Sequence, residues 1–365
     1  MTVRARKETN VALRVVQWAT GSVGVAAING VLEHPELELV GCWVHSPDKA
    51  GRDISELDGI RATGPLGVTT TARIDDILAL DADAVIYAPL LPNVDEVTAL
   101  LRSGKNVVSP VGWFYPSDTE AAPLEKAARE GNATLHGAGI GPGAATELFP
   151  LLLSVMSTGI THVRAEEFSD LRTYDAPDVL RHVMGFGGTP ENALSGPMQK
   201  LLNGGFFQSV RLMVDRLGFA AGPLIHTNQQ VAVATAPIES PIGVIRPGEV
   251  AGRRFRWDAV VVNTVVVRVA VNWLMGEENL SPAWSFGPAG ERYEMEVRGN
   301  PNTFVTVKGW QPETVEEGLV SNPGVVATAA HCVNSIPATC AAAPGIRSFF
   351  DLPPITGRAA PLLSR

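Results

Sequence analysis

Ala12-Leu-Arg-Val-Val-Gln-Trp-Ala-Thr-Gly-Ser-Val-Gly24 is the stretch whose reading decides the fold. Leu13 to Trp18 can form a buried strand, the small residues Ala19 to Gly24 make a turn, and Val25 to Leu32 suit a helix. Strand, small-residue turn and helix in that order form the phosphate-binding element of a nucleotide-binding βαβ unit. Gly21 lets the backbone approach a pyrophosphate, and Gly24 lets helix and strand pack closely. The helix N-terminus then offers free N–H groups to the anion. The first glycine of the usual fingerprint is Ala19 here, so the loop is a variant. Ala19, Thr20, Gly21, Ser22, Val23 and Gly24 are the expected cofactor contacts.

Outward from this stretch, strands and helices alternate to about residue 150. Leu37–Val44, Ala84–Ala88, Asn106–Ser109 and Ala133–His136 read as strands. Val94–Ser103 and Asp118–Glu130 read as helices, closed by Gly104 and Gly131 as helix ends commonly are. That alternation predicts a Rossmann-type, doubly wound parallel sheet with helices on both faces. Beyond 150 the expected strands are Thr161–Phe168, Gln229–Ala236, one long strand Arg254–Trp273, Arg292–Arg298 and Phe304–Lys308. The last two flank Gly299-Asn-Pro-Asn302, a hairpin turn. A broken helical stretch, Ala176–Leu217, lies among them. The fold class is therefore α/β, with residues 1–150 binding the nucleotide. Residues 151–322 form an α+β substrate and dimerisation domain on a mostly antiparallel sheet. The helix Pro323–Cys340 is expected to pack back on the first domain.

A chain of 365 residues is long enough for two cores. A net charge of −9 without a Lys/Arg cluster excludes nucleic acid as the main partner. The basic start (Arg4, Arg6, Lys7) lacks an apolar segment after it and reads as a frayed tail, not a signal peptide. Ala259–Met275 is too polar, at Asn263, Arg268 and Asn272, to cross a membrane. Three cysteines without metal-ligand spacing point to a reducing cytoplasm, with Cys332 and Cys340 as packing residues and no metal site.

Ligands of open α/β sheets bind beyond the carboxyl ends of the strands. An acid at the tip of the second strand selects NAD, and basic or hydroxyl residues select NADP. The tip here reads His45-Ser-Pro-Asp-Lys-Ala-Gly-Arg52, with no acid at the strand end. Ser46, Lys49 and Arg52 can together hold a 2′-phosphate, so NADP(H) is the expected cofactor, with NAD(H) use open. A solvated basic turn is the alternative. His45, the loop residues Ala88 and Pro89, and Gly139 and Gly141 of the glycine-rich turn Gly137–Gly143 complete the expected cofactor wall.

Val16–Gly24, Val44–Asp53 and Asn106–Ser109 resemble the dihydrodipicolinate-reductase-like NAD(P)-dependent dehydrogenases. The similarity is greatest to the branch of 2,4-diaminopentanoate dehydrogenase and the native amine dehydrogenases, in their actinobacterial members. Phe168–Tyr174, Met184–Gly187 and Ile346–Leu352 extend it over nearly the whole chain. The resemblance implies a Rossmann domain, a sheet-based substrate domain, a homodimer, and hydride transfer to a C=N or C=O carbon of a small molecule.

Two positions depart from those relatives. Where amine-forming members carry a Glu that holds and deprotonates ammonia, this chain has Trp113, whose indole is only a donor. Where they carry Gly-x-Asn-Pro-Gly, it has Gly141-Pro-Gly143. The candidates for the missing proton donor are Tyr115, Tyr174 and His182, each of which also reads as a wall, packing or surface residue. Glu166 and Glu167 are adjacent, so only one can face a cleft. Trp113, Phe114 and Glu147 are the expected substrate-pocket residues, and the aromatic pair points to a largely apolar substrate. The sequence thus reads as an NAD(P)H-dependent oxidoreductase. The alternatives are an amine dehydrogenase with a relocated acid and a non-catalytic NADP-binding sensor.

Overall fold

The computed structural model describes residues 12–222, 224–360 and 363, and the basic start lies outside them. The chain forms two compact units. The first runs up to Val111 and adds Asp118–Gly137 and the chain from Ala329 onward; the second takes Gly112–Ser117 and Ala138–Thr328. A single cut near residue 150 therefore does not describe the division.

In the first unit, β1 (Leu13–Trp18), β2 (Leu37–Trp43), β3 (Thr70–Thr71), β4 (Ala84–Tyr87), β5 (Asn106–Ser109) and β6 (Thr134–Gly137) share one sheet. A late strand, Gly345–Arg347 (β14), joins its edge, giving the order β14-β6-β5-β4-β1-β2-β3. Every described pairing in it is parallel. Strands covered on both faces are apolar throughout: Val15, Val16, Trp18 and all of β4 are buried. Between them run α1 (Ser22–Glu33), α2 (Ile74–Ala79), α3 (Val94–Arg102) and α4 (Asp118–Gly131). The order reverses between β1 and β4, which opens the ligand crevice of this fold at their carboxyl ends.

The second unit holds α5 (Phe149–Ser154), α6 (Pro190–Ser195), α7 (Met198–Leu217) and α8 (Val315–Val320). Its strands are β7 (Thr158–Asp170), β8 (Ile225–Ala234), β9 (Val250–Val261), β10 (Thr264–Leu274), β11 (Leu280–Ser281), β12 (Arg292–Asn300) and β13 (Thr303–Val307). Their order is β11-β8-β9-β10-β7-β12-β13. The β7–β10 pair is parallel and the other ladders are antiparallel. One face packs on helices: Phe206 of α7 stacks on Trp257 at 4.4 Å, and Ile140, Ala145, Tyr293 and Met295 form a core with Phe149 and Trp310. The opposite face is a lattice of ion pairs, Arg164 with Glu166, Glu294 and Glu296, and Arg268 with Asp258.

One expected element is wrong. The long strand Arg254–Trp273 is a hairpin, β9 and β10, turning at Val262 (φ 46°) and Asn263 (φ 64°). A two-residue type I′ hairpin loop needs two left-handed residues, and Asn supplies one readily. The β-branched Val262, 91% exposed, masked the turn because apolar alternation runs straight through it. The helix α9 (Pro323–Ala341) crosses from the second unit to the first, where Val333 packs against Gly30 of α1.

Candidate functional site

The nucleotide loop is built by close approach. A Cβ on Gly24 would stand 2.2 Å from the Ala19 carbonyl oxygen, so only glycine fits there. Ala19 holds the left-handed conformation (φ 72°) that glycine supplies in the usual fingerprint. The side-chain amide of Gln17 donates to the carbonyls of Trp18 and Ala19 at 3.0 and 2.9 Å, fixing the strand-to-loop bend. Around Gly21, which caps α1, a Cβ would meet no atom within 4 Å. The first turn of α1 has neither an acidic residue nor a side-chain cap. An open loop leading to a helix N-terminus of positive polarity fits a pyrophosphate.

At the tip of β2, His45 and Arg52 are exposed and Ser46 and Lys49 are half-buried. Lys49 Nζ reaches Thr20 Oγ1 at 3.5 Å, so one cation of the turn lies on the nucleotide loop. Arg52 is instead engaged by Glu56, donating to its backbone carbonyl at 2.7 Å and pairing with its carboxylate. Asp48 sits in the 3-10 turn Pro47–Lys49, past the strand tip, and no acid stands at the strand end. Trp18 and Trp43, at the ends of β1 and β2, stack at 4.5 Å. The Ala88 N–H donates to the Trp18 carbonyl, and the Tyr87 hydroxyl donates to Glu96 while accepting from Asn93 N–H, which steadies the loop containing Pro89.

In the second unit, Trp113 and Phe114 are buried, and Trp113 takes φ 62°, unusual for a bulky residue. Helix α7 holds this loop: Gln208 Oε1 accepts from the Tyr115 N–H at 2.8 Å, and the Tyr115 hydroxyl donates to Asp215 at 3.0 Å. The segment Gly137–Gly143 leaves helical geometry at Gly141–Gly143 and becomes helical at Ala144. Gly139 has φ 124°, and Pro142 packs so close to α7 that a Cβ on Gly205 would be 2.5 Å from it.

Glu147 is fully buried. It accepts from Thr146 Oγ1, which also meets Ser209 Oγ at 3.3 Å, while its Oε1 has no partner. Burial pushes its carboxyl up to about 7 against the donors around it. Glu147 thus has no surface on an open pocket in this structure. Tyr174 is half-buried, with its phenol pushed up by burial, and His182 is exposed on the turn Val179–Val183.

Glu167 is the acid that sequence reasoning left unresolved. On β7 it lies opposite Tyr293 of β12 and Val271 of β10, on the helix-covered face. Trp273 Nε1 and Ser169 Oγ each donate to its Oε1 at 2.9 Å. Its carboxyl is raised by burial, against donors from Trp273, Ser169 and Tyr293.

Residues 147–360 match the C-terminal domain of 2,4-diaminopentanoate dehydrogenase. The chain belongs to that family. An amine dehydrogenase of Streptomyces virginiae is 31% identical over 364 residues, covering 95% of this chain and 98% of its own. The 2,4-diaminopentanoate dehydrogenase of Acetoanaerobium sticklandii is 24% identical over 354 residues, covering 93% of each. The solved amine dehydrogenase from Mycobacterium smegmatis superposes with a TM-score of 0.74 at 21% identity, covering 95% of this chain and 97% of its own; that likeness is one of fold.

Membership of the diaminopentanoate dehydrogenase family places the chain among NAD(P)-dependent oxidoreductases, as the loop Ala19–Gly24 leads one to expect. Among the described residues no helix is long and apolar enough to cross a membrane. The side chains that sequence reasoning missed are Gln17, Trp273 and Tyr293. Period-two alternation was the available signal for the last two, since it fixes what stands beside Glu167 once the strand pairing is known.

Proposed function

We propose that the protein transfers hydride between NADP(H) and the C=O or C=N carbon of a largely apolar small molecule. The observation that carries this reading is the loop Ala19–Gly24, open at Gly21, with Lys49 reaching Thr20. The loop N–H groups and the N-terminus of α1 would hold the pyrophosphate. Lys49 and Ser46 would hold the 2′-phosphate, with His45, Ala88, Pro89, Gly139 and Gly141 as further cofactor contacts. When bound, the nicotinamide supplies or accepts the hydride. Trp113 and Phe114 would form the apolar wall that orients substrate and keeps water away. The first unit is then the cofactor domain. The second is the substrate domain and the contact between two copies in a cytoplasmic homodimer.

The amine dehydrogenase relative favours a C=N carbon as the hydride acceptor, which requires an acid or base elsewhere than Trp113. Two measurements test the proposal. Intrinsic tryptophan fluorescence, reported by Trp18 and Trp43, is expected to show tighter binding of NADPH than NADH; equal binding or none refutes the cofactor assignment. NADPH oxidation with cyclohexanone or an aliphatic aldehyde, with and without ammonium, separates C=N from C=O chemistry. Binding without turnover on any carbonyl or imine would make the protein a sensor.

A further inference from the structure

Glu166 and Glu167 are consecutive, so β7 sends their side chains to opposite faces of the sheet. Glu166 joins Arg164 and Asn272 in the ion-pair lattice. Glu167 turns to the helix side, where three donors from three strands converge on it: Trp273 from β10, Tyr293 from β12 and Ser169 from β7 itself. Oε1 accepts from both Trp273 and Ser169. Oε2 lies 3.9 Å from where a Cβ on Gly141 would stand. Gly141 has extended backbone (φ −151°), which any residue adopts, so its missing side chain serves no turn and instead leaves space beside Oε2. Gly141 is exposed, and Glu167, though closely surrounded, keeps part of its surface accessible. Glu147, by contrast, has none.

We propose that Glu167 is the proton donor and acceptor of this enzyme, acting through Oε2 beside Gly141, with Trp273, Ser169 and Tyr293 as positioning residues. The assignment rests on the oxidoreductase reading and supplies the acid that Trp113 cannot. In reduction, the substrate carbon gains a hydride from the reduced nicotinamide as its π pair moves to the oxygen or nitrogen. That heteroatom takes the proton from Glu167, so the carboxyl O–H bond breaks, a new O–H or N–H bond forms, and a carboxylate remains. Oxidation runs the same exchange backward.

The groups facing the carboxyl explain why it can exchange a proton. Burial is the largest influence and raises it, and the three donors oppose that rise. Glu291, pushed up to about 7 mainly by burial, adds negative charge nearby. Tyr293 is raised well above its ordinary value and stays a phenol. Arg172 is paired with Asp170 and does not neutralise Glu167. From the segment 137–148, Gly141 and Thr146 come close and bring no charge, while the Glu147 carboxyl is bonded to Thr146.

The test uses the full chain with NADPH, cyclohexanone and ammonium. Glu167→Gln is expected to bind NADPH as the wild type does, by tryptophan fluorescence, and to lose about 100-fold or more in kcat. Glu167→Asp is expected to recover part of that loss. In the wild type, kcat/KM for reduction falls as pH rises through the raised carboxyl, and that alkaline limb disappears in Glu167→Gln. The wild-type-minus-Glu167→Gln infrared difference spectrum is expected to show one protonated-carboxyl band without any substrate, beyond those of Glu147 and Glu291, which both proteins keep. Glu166→Gln, on the other face, keeps the wild-type pH profile. If Glu167→Gln does not fold, Trp273→Phe and Ser169→Ala serve: each removes a donor to the carboxylate and is expected to move the alkaline limb to higher pH. Wild-type kcat and an unchanged limb in Glu167→Gln, or an unmoved limb in the other two, overturns the assignment. A wild type that binds NADPH but turns over no carbonyl or imine overturns the oxidoreductase reading, and the assignment with it.

Discussion

Lys49 Nζ and Thr20 Oγ1 lie 3.5 Å apart, joining the turn after β2 to the nucleotide loop after β1. On the proposed cofactor reading, this ammonium is the group that would meet a ribose 2′-phosphate beside that loop. Lys49→Ala is expected to weaken NADPH binding about tenfold, roughly the 1.4 kcal/mol of one charge-assisted contact, while changing NADH binding less. Arg52→Ala is expected to matter less, because Glu56 already engages that guanidinium. Fluorescence titration of both cofactors against both variants checks this. Equal weakening of NADH and NADPH by Lys49→Ala would refute 2′-phosphate recognition.

Ala19 and Gly24 share one constraint. Gly24→Ala forces a Cβ to 2.2 Å from the Ala19 carbonyl oxygen, so the loop must open and nucleotide binding is lost. Ala19→Gly relieves a left-handed alanine (φ 72°) and is expected to stabilise the chain by up to about 1 kcal/mol with binding retained. Thermal melts with and without NADPH measure both. A Gly24→Ala protein that still gains stability from NADPH would contradict the close approach.

Glu147 gives a pH dependence with a defined sign. Its carboxyl is raised from 4.5 to about 7 in the folded chain, so between those values the unfolded chain has released a proton that the folded chain keeps. Stability from this group is complete below 4.5 and is lost as pH rises to about 7, a change of about 3 kcal/mol at most. Glu147→Gln removes that loss, and the thermal midpoint should then fall less between pH 5 and pH 8 than in the wild type. Glu291, also raised to about 7, keeps part of the slope. Identical slopes in the two proteins would show that Glu147 ionises normally.

Tyr115 spends its hydroxyl proton on Asp215, 3.0 Å away. Tyr115→Phe is expected to cost about 1 kcal/mol or less of stability and to change kcat by no more than about twofold. A loss near 100-fold would return the proton-donor role to Tyr115 and away from Glu167.

Much of the first unit was legible because a parallel sheet buried on both faces writes its strands as apolar runs, and glycines end its helices. Leu13–Trp18, Asn106–Ser109 and Gly21–Gly24 needed nothing further. The second unit was legible in kind but not in detail. The hairpin at Val262–Asn263 vanished into continuous alternation, since apolar period two is the same on either side of a turn. The basic turn after β2 was found as a group, yet only Lys49 reaches the loop, because Arg52 has a nearer partner in Glu56.

The sequence by itself determined the nucleotide loop and the Rossmann sheet, since each is a property of neighbouring residues, while the acid expected near Trp113 came from the resemblance to relatives. Only the tertiary structure separates the acids that the chain offers for a proton-transfer role. Glu167 and Glu147 look alike in the chain, and strand pairing separates them. It brings Trp273 and Tyr293 to Glu167 near Gly141, whereas Glu147 is closed by its neighbour Thr146 and by Ser209 of α7. A carboxyl's proton affinity is set by the burial and donors around it, and for Glu167 one of those donors, Trp273, comes from 106 positions away.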